Sequence, residues 1–132
     1  DRSGKCNLIA TGRSGDRVIG VVYAMAAADK HRLDAAEGLG KGYTEARLAV
    51  GAAGAVHEVF LYLAQPAYID DTLRPFAWYR QLVAEGARFH RLPDAYLSQI
   101  LAVETLEDPD PRRAAQYAGL LDWLTRSGTN VL

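Results

Sequence analysis

Leu33-Asp34-Ala35-Ala36-Glu37-Gly38-Leu39-Gly40-Lys41-Gly42-Tyr43 is the stretch on which the reading of the fold turns. Leu33 and Ala36 fit the apolar face of a short helix that ends at Glu37. Glycines follow at positions 38, 40 and 42. Glycine supplies positive φ and lets other groups come close to the backbone. Tyr43 then opens a run, 43–50, that reads as a strand. One carboxylate therefore stands at a helix-to-strand junction, on a glycine-rich bend, beside an aromatic ring. That arrangement suits a single acid or base at the mouth of a pocket, with Gly38 giving a ligand access to the backbone. It equally suits a C-capped helix that ends in a solvated glutamate.

Phosphate-binding readings of the stretch fail. The Walker pattern needs a glycine, four residues, then Gly-Lys-Ser/Thr, but Gly40-Lys41 precedes Gly42 and Ala35 stands where the first glycine belongs. In the dinucleotide pattern Tyr43 occupies the third small-residue position. Both motifs also run from strand to helix, the reverse of the order here.

The chain has 132 residues, 49% hydrophobic and 23% charged, which suits one soluble domain with its own core. A formal charge of −1 gives no electrostatic case for nucleic acid or an anionic membrane. No apolar run approaches the ~20 residues of a membrane span. The single cysteine, Cys6, rules out an internal disulfide framework and points to a reducing, cytoplasmic setting. No signal peptide is visible, and the opening Asp1-Arg2-Ser3-Gly4-Lys5 is polar and lacks methionine, so an N-terminally incomplete chain is expected.

In chain order, 6–11 and the β-branched run 18–25 read as two strands of a hairpin, joined through Gly12-Arg13-Ser14-Gly15-Asp16. Residues 26–37 read as a helix with Leu33 and Ala36 inward and Asp29, Lys30, Arg32 and Asp34 in water. Strands 43–50 and 56–63 flank the turn signal Gly51-Ala52-Ala53-Gly54. Asp70-Asp71 suits a cap region or a second acid centre. Helices follow over 76–90, 94–103 and 112–126, with Pro75 at the start of the first and Gly128 ending the last before a polar tail. Four or five strands with one inserted helix, then three helices, predict an α+β fold: a small mixed or antiparallel open β-barrel with C-terminal helices.

His31, His57 and His90 lie far apart without ligand spacing, so no metal is expected. Cys6 lacks an activating neighbour, and none of Ser3, Ser14, Ser98 and Ser127 sits in a nucleophile elbow. Trp78 and Tyr79 are adjacent, so on a helix one packs while the other lines a cavity or reaches water. Glu104, Glu107, Asp108 and Asp110 read as a solvated acidic linker.

Five blocks in order carry a resemblance: Gly20-Val21-Val22-Tyr23; Leu33-Asp34-Ala35-Ala36-Glu37-Gly38 with Gly42-Tyr43; Val59-Phe60-Leu61-Tyr62-Leu63; Trp78-Tyr79-Arg80-Gln81-Leu82-Val83-Ala84-Glu85-Gly86-Ala87; and Leu92-Pro93-Asp94-Ala95-Tyr96. Over residues 5–103 the chain resembles the γ-glutamylcyclotransferase family. The resemblance implies a small mixed barrel with flanking helices. It implies intramolecular aminolysis of a γ-glutamyl amide, giving 5-oxoproline and a free amino acid or amine, with no metal or organic cofactor. The family's general acid/base is the glutamate of the LDxxEG block, here Glu37. Gly38, Tyr43 and Tyr79 are the implied substrate-binding residues.

The chemistry of the residues agrees. The attacking α-ammonium must lose a proton and the leaving amine must gain one, and one carboxylate can do both in turn. A free glutamate, with a pKa near ~4.3, is a weak base for that task, and partial burial beside Tyr43 is the expected remedy. Ring closure needs no second substrate, so holding the γ-glutamyl chain folded supplies much of the rate. The chain departs from the family in lacking its Tyr-Gly-Ser-Asn motif on a first strand, which leaves an expected sheet edge open to a second copy, a homodimer. The alternatives are a non-catalytic binding module on the same fold and an inactive truncated fragment.

Overall fold

Helix α1 (Lys30–Glu37) stops where the glycines begin. Gly38 takes φ 68° and ψ 42°, the left-handed conformation that costs a glycine nothing. Its N–H reaches the Ala35 carbonyl at 3.3 Å, and the Leu39 N–H reaches the Asp34 carbonyl at 2.9 Å. These two bonds make a Schellman stop, which satisfies carbonyls the helix end would otherwise leave open. The expected helix over 26–37 is thus shorter, because Ala27–Asp29 forms a 3-10 turn in front of it.

The computed structural model describes residues 2–128. Two compact units divide the chain: Cys6–Asp70, and a second that joins the residues up to Lys5 to those from Asp71 onward.

In the first unit, β1 (Tyr43–Ala52) and β2 (Ala55–Ala64) pair antiparallel, from Tyr43 opposite Ala64 to Ala52 opposite Ala55. Ala53 and Gly54 form the loop, with φ 50° and 78°. Positive φ at both positions is the type I′ geometry that matches strand twist. The half of the hairpin near Tyr43 and Ala64 is partly covered, while Leu48 and Val56 toward the turn are exposed. A 3-10 turn, Pro66–Tyr68, follows β2, and the Tyr68 ring lies against Gly42, where a Cβ would meet it at 3.6 Å.

The sheet has two strands, not four or five, and among the described residues it closes no barrel. The expected strands at 6–11 and 18–25 are absent. Both runs are irregular, and Ile9, Val18, Val21, Val22, Tyr23 and Met25 are exposed. A β-branched run becomes a strand only when a neighbouring backbone takes its N–H and C=O groups. No described segment pairs with this one.

In the second unit, α2 (Ala77–Phe89) packs with α3 (Asp94–Leu101) and α4 (Pro111–Gly128). The three expected helices are therefore present; residues 129–132, the expected polar tail, lie outside the described residues. Phe76, Ala84 and Ala87 are its buried apolar residues. Asp70-Asp71 caps no helix: the residue ahead of α2 is Phe76, and the chain between runs through turns. Pro75 lies one residue further out, its carbonyl accepting the Leu106 N–H at 2.9 Å. Asp110 accepts the N–H groups of Arg112 and Arg113 at 3.0 and 3.2 Å, capping α4 ahead of Pro111.

Candidate functional site

Glu37 is the last residue of α1, directly before the Schellman glycine. Its side chain is exposed rather than partly buried beside Tyr43, because the glycines after it carry no side chains to cover it. Among the described residues its carboxylate takes no hydrogen bond or ion pair. The bend after it is held by backbone alone: Lys41 N–H to Gly38 O at 2.8 Å, and Gly40 N–H to Tyr43 O at 2.8 Å. The second of these bonds ties the bend to the first residue of β1. Glu37, Gly38 and Tyr43 thus share one short loop of the first unit.

Tyr79 belongs to the other unit, on the first turn of α2. It is half-buried, and the Lys5 ammonium stands 5.3 Å from its ring centre. Its neighbour Trp78 does the packing. The indole stacks on Tyr117 at 3.7 Å with an interplanar angle of 4°, and its N–H donates to Asp108 at 2.8 Å. Asp108 also accepts two bonds from the Arg113 guanidinium, each at 2.7 Å, and its side chain is only 1% exposed. Asp108 is therefore no solvated linker residue. The Arg113 guanidinium, then the Asp110 backbone N–H and the Trp78 indole, hold its carboxyl well below the usual carboxylate range against the cost of desolvation.

A further polar cluster was not legible as such in the sequence. Lys30 and Asp34, expected in water, both turn to the hairpin. The Lys30 ammonium lies 2.7 Å from Asp34 and 2.7 Å from Glu45. The Tyr62 hydroxyl donates to the same Asp34 oxygen, Oδ1, that Lys30 contacts, over 2.5 Å. Lys30 also sits 4.9 Å above the Phe60 ring, which meets Tyr62 edge-on at 6.1 Å between centres. Hydrogen bonds to Lys30 lower the Asp34 and Glu45 carboxyls, and those same bonds raise the Lys30 ammonium. Desolvation, then the bond to Asp34, raises the Tyr62 hydroxyl. The one available sequence signal was the i,i+4 spacing of Lys30 and Asp34. Nothing local pointed to Glu45 and Tyr62 as their partners.

Contacts along this face advance in step. Glu45 is directly opposite Tyr62, and Arg47 opposite Phe60, so all four lie on one side of the hairpin. Lys30 meets Phe60, and Asp34, one turn later, meets Tyr62. The next pair on that side is Tyr43 with Ala64. The next residue on that stripe of α1 is Glu37.

Cavities of about 430 and 500 Å³ lie in the second unit, one lined by Arg88, Arg91, Leu92, Pro93, Asp94 and Leu97, the other around Phe76, Leu106 and Arg113. Neither is lined by Glu37, Gly38, Tyr43 or Tyr79. Among the described residues no three His, Cys, Asp or Glu side chains converge as a metal site. No helix among them is long and apolar enough to cross a membrane.

Residues 17–100 match the AIG2-like family, the γ-glutamylcyclotransferase-like family. The match spans more than half of the chain and includes Glu37, Tyr43 and Tyr79: the chain belongs to that family. No curated protein and no solved structure matches it.

Proposed function

We propose that the chain acts on a γ-glutamyl amide, releasing 5-oxoproline and a free amine, with Glu37 as the general acid/base. The observation that carries this reading is the placement of Glu37 at the helix stop. It is a carboxylate without a partner among the described residues, one turn beyond the Asp34 anchor and on the stripe of α1 that leads toward Tyr43. Family membership supports it independently.

In this scheme Glu37 takes a proton from the substrate's α-ammonium. The freed amine attacks the γ-carbonyl carbon, a new C–N bond closes the five-membered ring, and the tetrahedral centre expels the original amine. Glu37 returns its proton to that leaving nitrogen, the ring nitrogen gives its remaining extra proton to water, and no external oxidant, reductant or co-substrate is needed. Gly38, Tyr43 and Tyr79 are the proposed substrate contacts.

The test is 5-oxoproline release from γ-glutamyl amides by the full-length protein and its Glu37→Gln variant. The expected loss is about 10²- to 10⁴-fold in turnover with folding unchanged. Retention of full activity by Glu37→Gln overturns the assignment. A specific observation favours a second reading, a non-catalytic binding module: Glu37 is exposed, where proton transfer from an ammonium is helped by partial desolvation. Calorimetric binding of 5-oxoproline or γ-glutamyl peptides without any turnover would support that alternative.

A further inference from the structure

Helix α1 has only eight residues, and none of them is fully buried. A helix this short is not stable by itself in water, so tertiary contacts must hold it. Its large apolar residue, Leu33, is only half-buried. What fastens it to the hairpin is polar. Lys30 bridges to Glu45 on β1 at 2.7 Å, and Asp34 receives the Tyr62 hydroxyl from β2. Glu45 and Tyr62 are a directly opposed cross-strand pair, so one rung of the hairpin grips two helix residues a turn apart.

Asp34 has a second connection. Its backbone carbonyl accepts the Leu39 N–H at 2.9 Å, closing the loop that contains Glu37 and Gly38. The side chain of Asp34 is thus tied to the sheet while its backbone is tied to the far side of the helix stop. Any freedom in Asp34 passes to the backbone of the helix stop that carries Glu37.

We propose that the Lys30–Asp34–Tyr62 linkage, closed by Glu45, is a positioning device that fixes the helix end from which Glu37 projects relative to the start of β1. The proposal rests on the acid/base reading of Glu37 for its catalytic consequence, but the fastening itself is independent of that reading. None of the four residues touches the reacting atoms in this scheme. They act through the backbone of the helix stop.

The test uses the full-length protein with two measurements. One is steady-state turnover of a γ-glutamyl amide, and the other is hydrogen exchange of the Gly38 and Leu39 amides. Tyr62→Phe deletes one hydroxyl and keeps the ring. Lys30→Met deletes the charge and keeps much of the stem, and Lys30→Arg serves as the conservative rescue. Both Tyr62→Phe and Lys30→Met are expected to lower kcat about tenfold, with KM within about twofold of wild type, because a misplaced base slows chemistry more than binding. Both should speed exchange at Leu39, and Lys30→Arg should restore both properties. Should Lys30→Met not fold, Tyr62→Phe decides.

Unchanged Leu39 exchange overturns the fastening. Faster exchange with wild-type kcat overturns the positioning role. A fall in kcat with unchanged exchange also overturns it, since the residues would then contact substrate directly. The Glu37→Gln comparison is read separately: if that variant is fully active the acid/base reading falls, and exchange alone then judges the fastening.

Discussion

Asp34 and Asp108 are both carboxylates that the sequence leaves looking solvated, and both hold their charge in fixed company. Asp34 faces Lys30 and the Tyr62 hydroxyl, and Asp108 faces Arg113 and the Trp78 indole. The folded state lowers the pKa of Asp34, Glu45 and Asp108. A depressed carboxylate contributes stability that is present above its unfolded value and lost as pH falls through its folded value. Lys30 is raised, so its contribution is present below its unfolded value and lost as pH rises through the folded one. Unperturbed values near ~4 for carboxylates and ~10.4 for lysine therefore bound the range in which all these ties are intact. Thermal unfolding followed across pH should show a plateau from about pH 5 to about pH 9, with a fall below about pH 4. A midpoint that stays flat into acid would refute the account.

At the scale of elements, the hairpin shows how local chemistry and geometry can disagree by one residue. The loop needs positive φ at both of its positions, and Ala53 holds φ 50° with a β-carbon attached. A left-handed alanine costs roughly 1–2 kcal/mol, whereas asparagine is the residue most used at that place in a type I′ turn. Ala53→Asn should therefore raise stability by about 0.5–1 kcal/mol without moving the register, read as a higher unfolding midpoint. A lower midpoint would mean that the loop does not keep this conformation. The turn signal Gly51-Ala52-Ala53-Gly54 was visible in the sequence, as was the stop of α1 at Gly38, because both depend on residues within a few positions of each other.

At the scale of the molecule, burial is uneven. The buried apolar side chains, Phe76, Ala84 and Ala87, all belong to the unit that contains α2, α3 and α4. In the unit Cys6–Asp70, the irregular run from Val18 to Met25 is largely exposed and the hairpin is at best half-covered. Local stability follows buried apolar contact, so amide exchange should be slowest in α2 around Ala84 and Ala87 and faster throughout β1 and β2. Equal protection in both regions would show that the hairpin has support beyond the contacts described. The family relationship is consistent with both units, since the matched residues 17–100 run through each of them.

The amino-acid sequence alone determined the α+β class, the four helices, the strand pair around the Ala53-Gly54 turn, the helix stop after Glu37 and the family to which the chain belongs. These depend on periodicity, on glycine and proline, and on the order of short blocks. Only the tertiary structure decided that 18–25 forms no strand, since a strand is made by its neighbour and not by its own β-branched residues. Only it turned Lys30 and Asp34 onto Glu45 and Tyr62, because Tyr62 lies 28 residues beyond Asp34 and nothing nearby in the chain announces the contact. The helix stop that carries Glu37 was legible from its neighbours. The ties from Lys30 and Asp34 to the hairpin are long-range polar contacts, and such contacts exist only once the chain has folded.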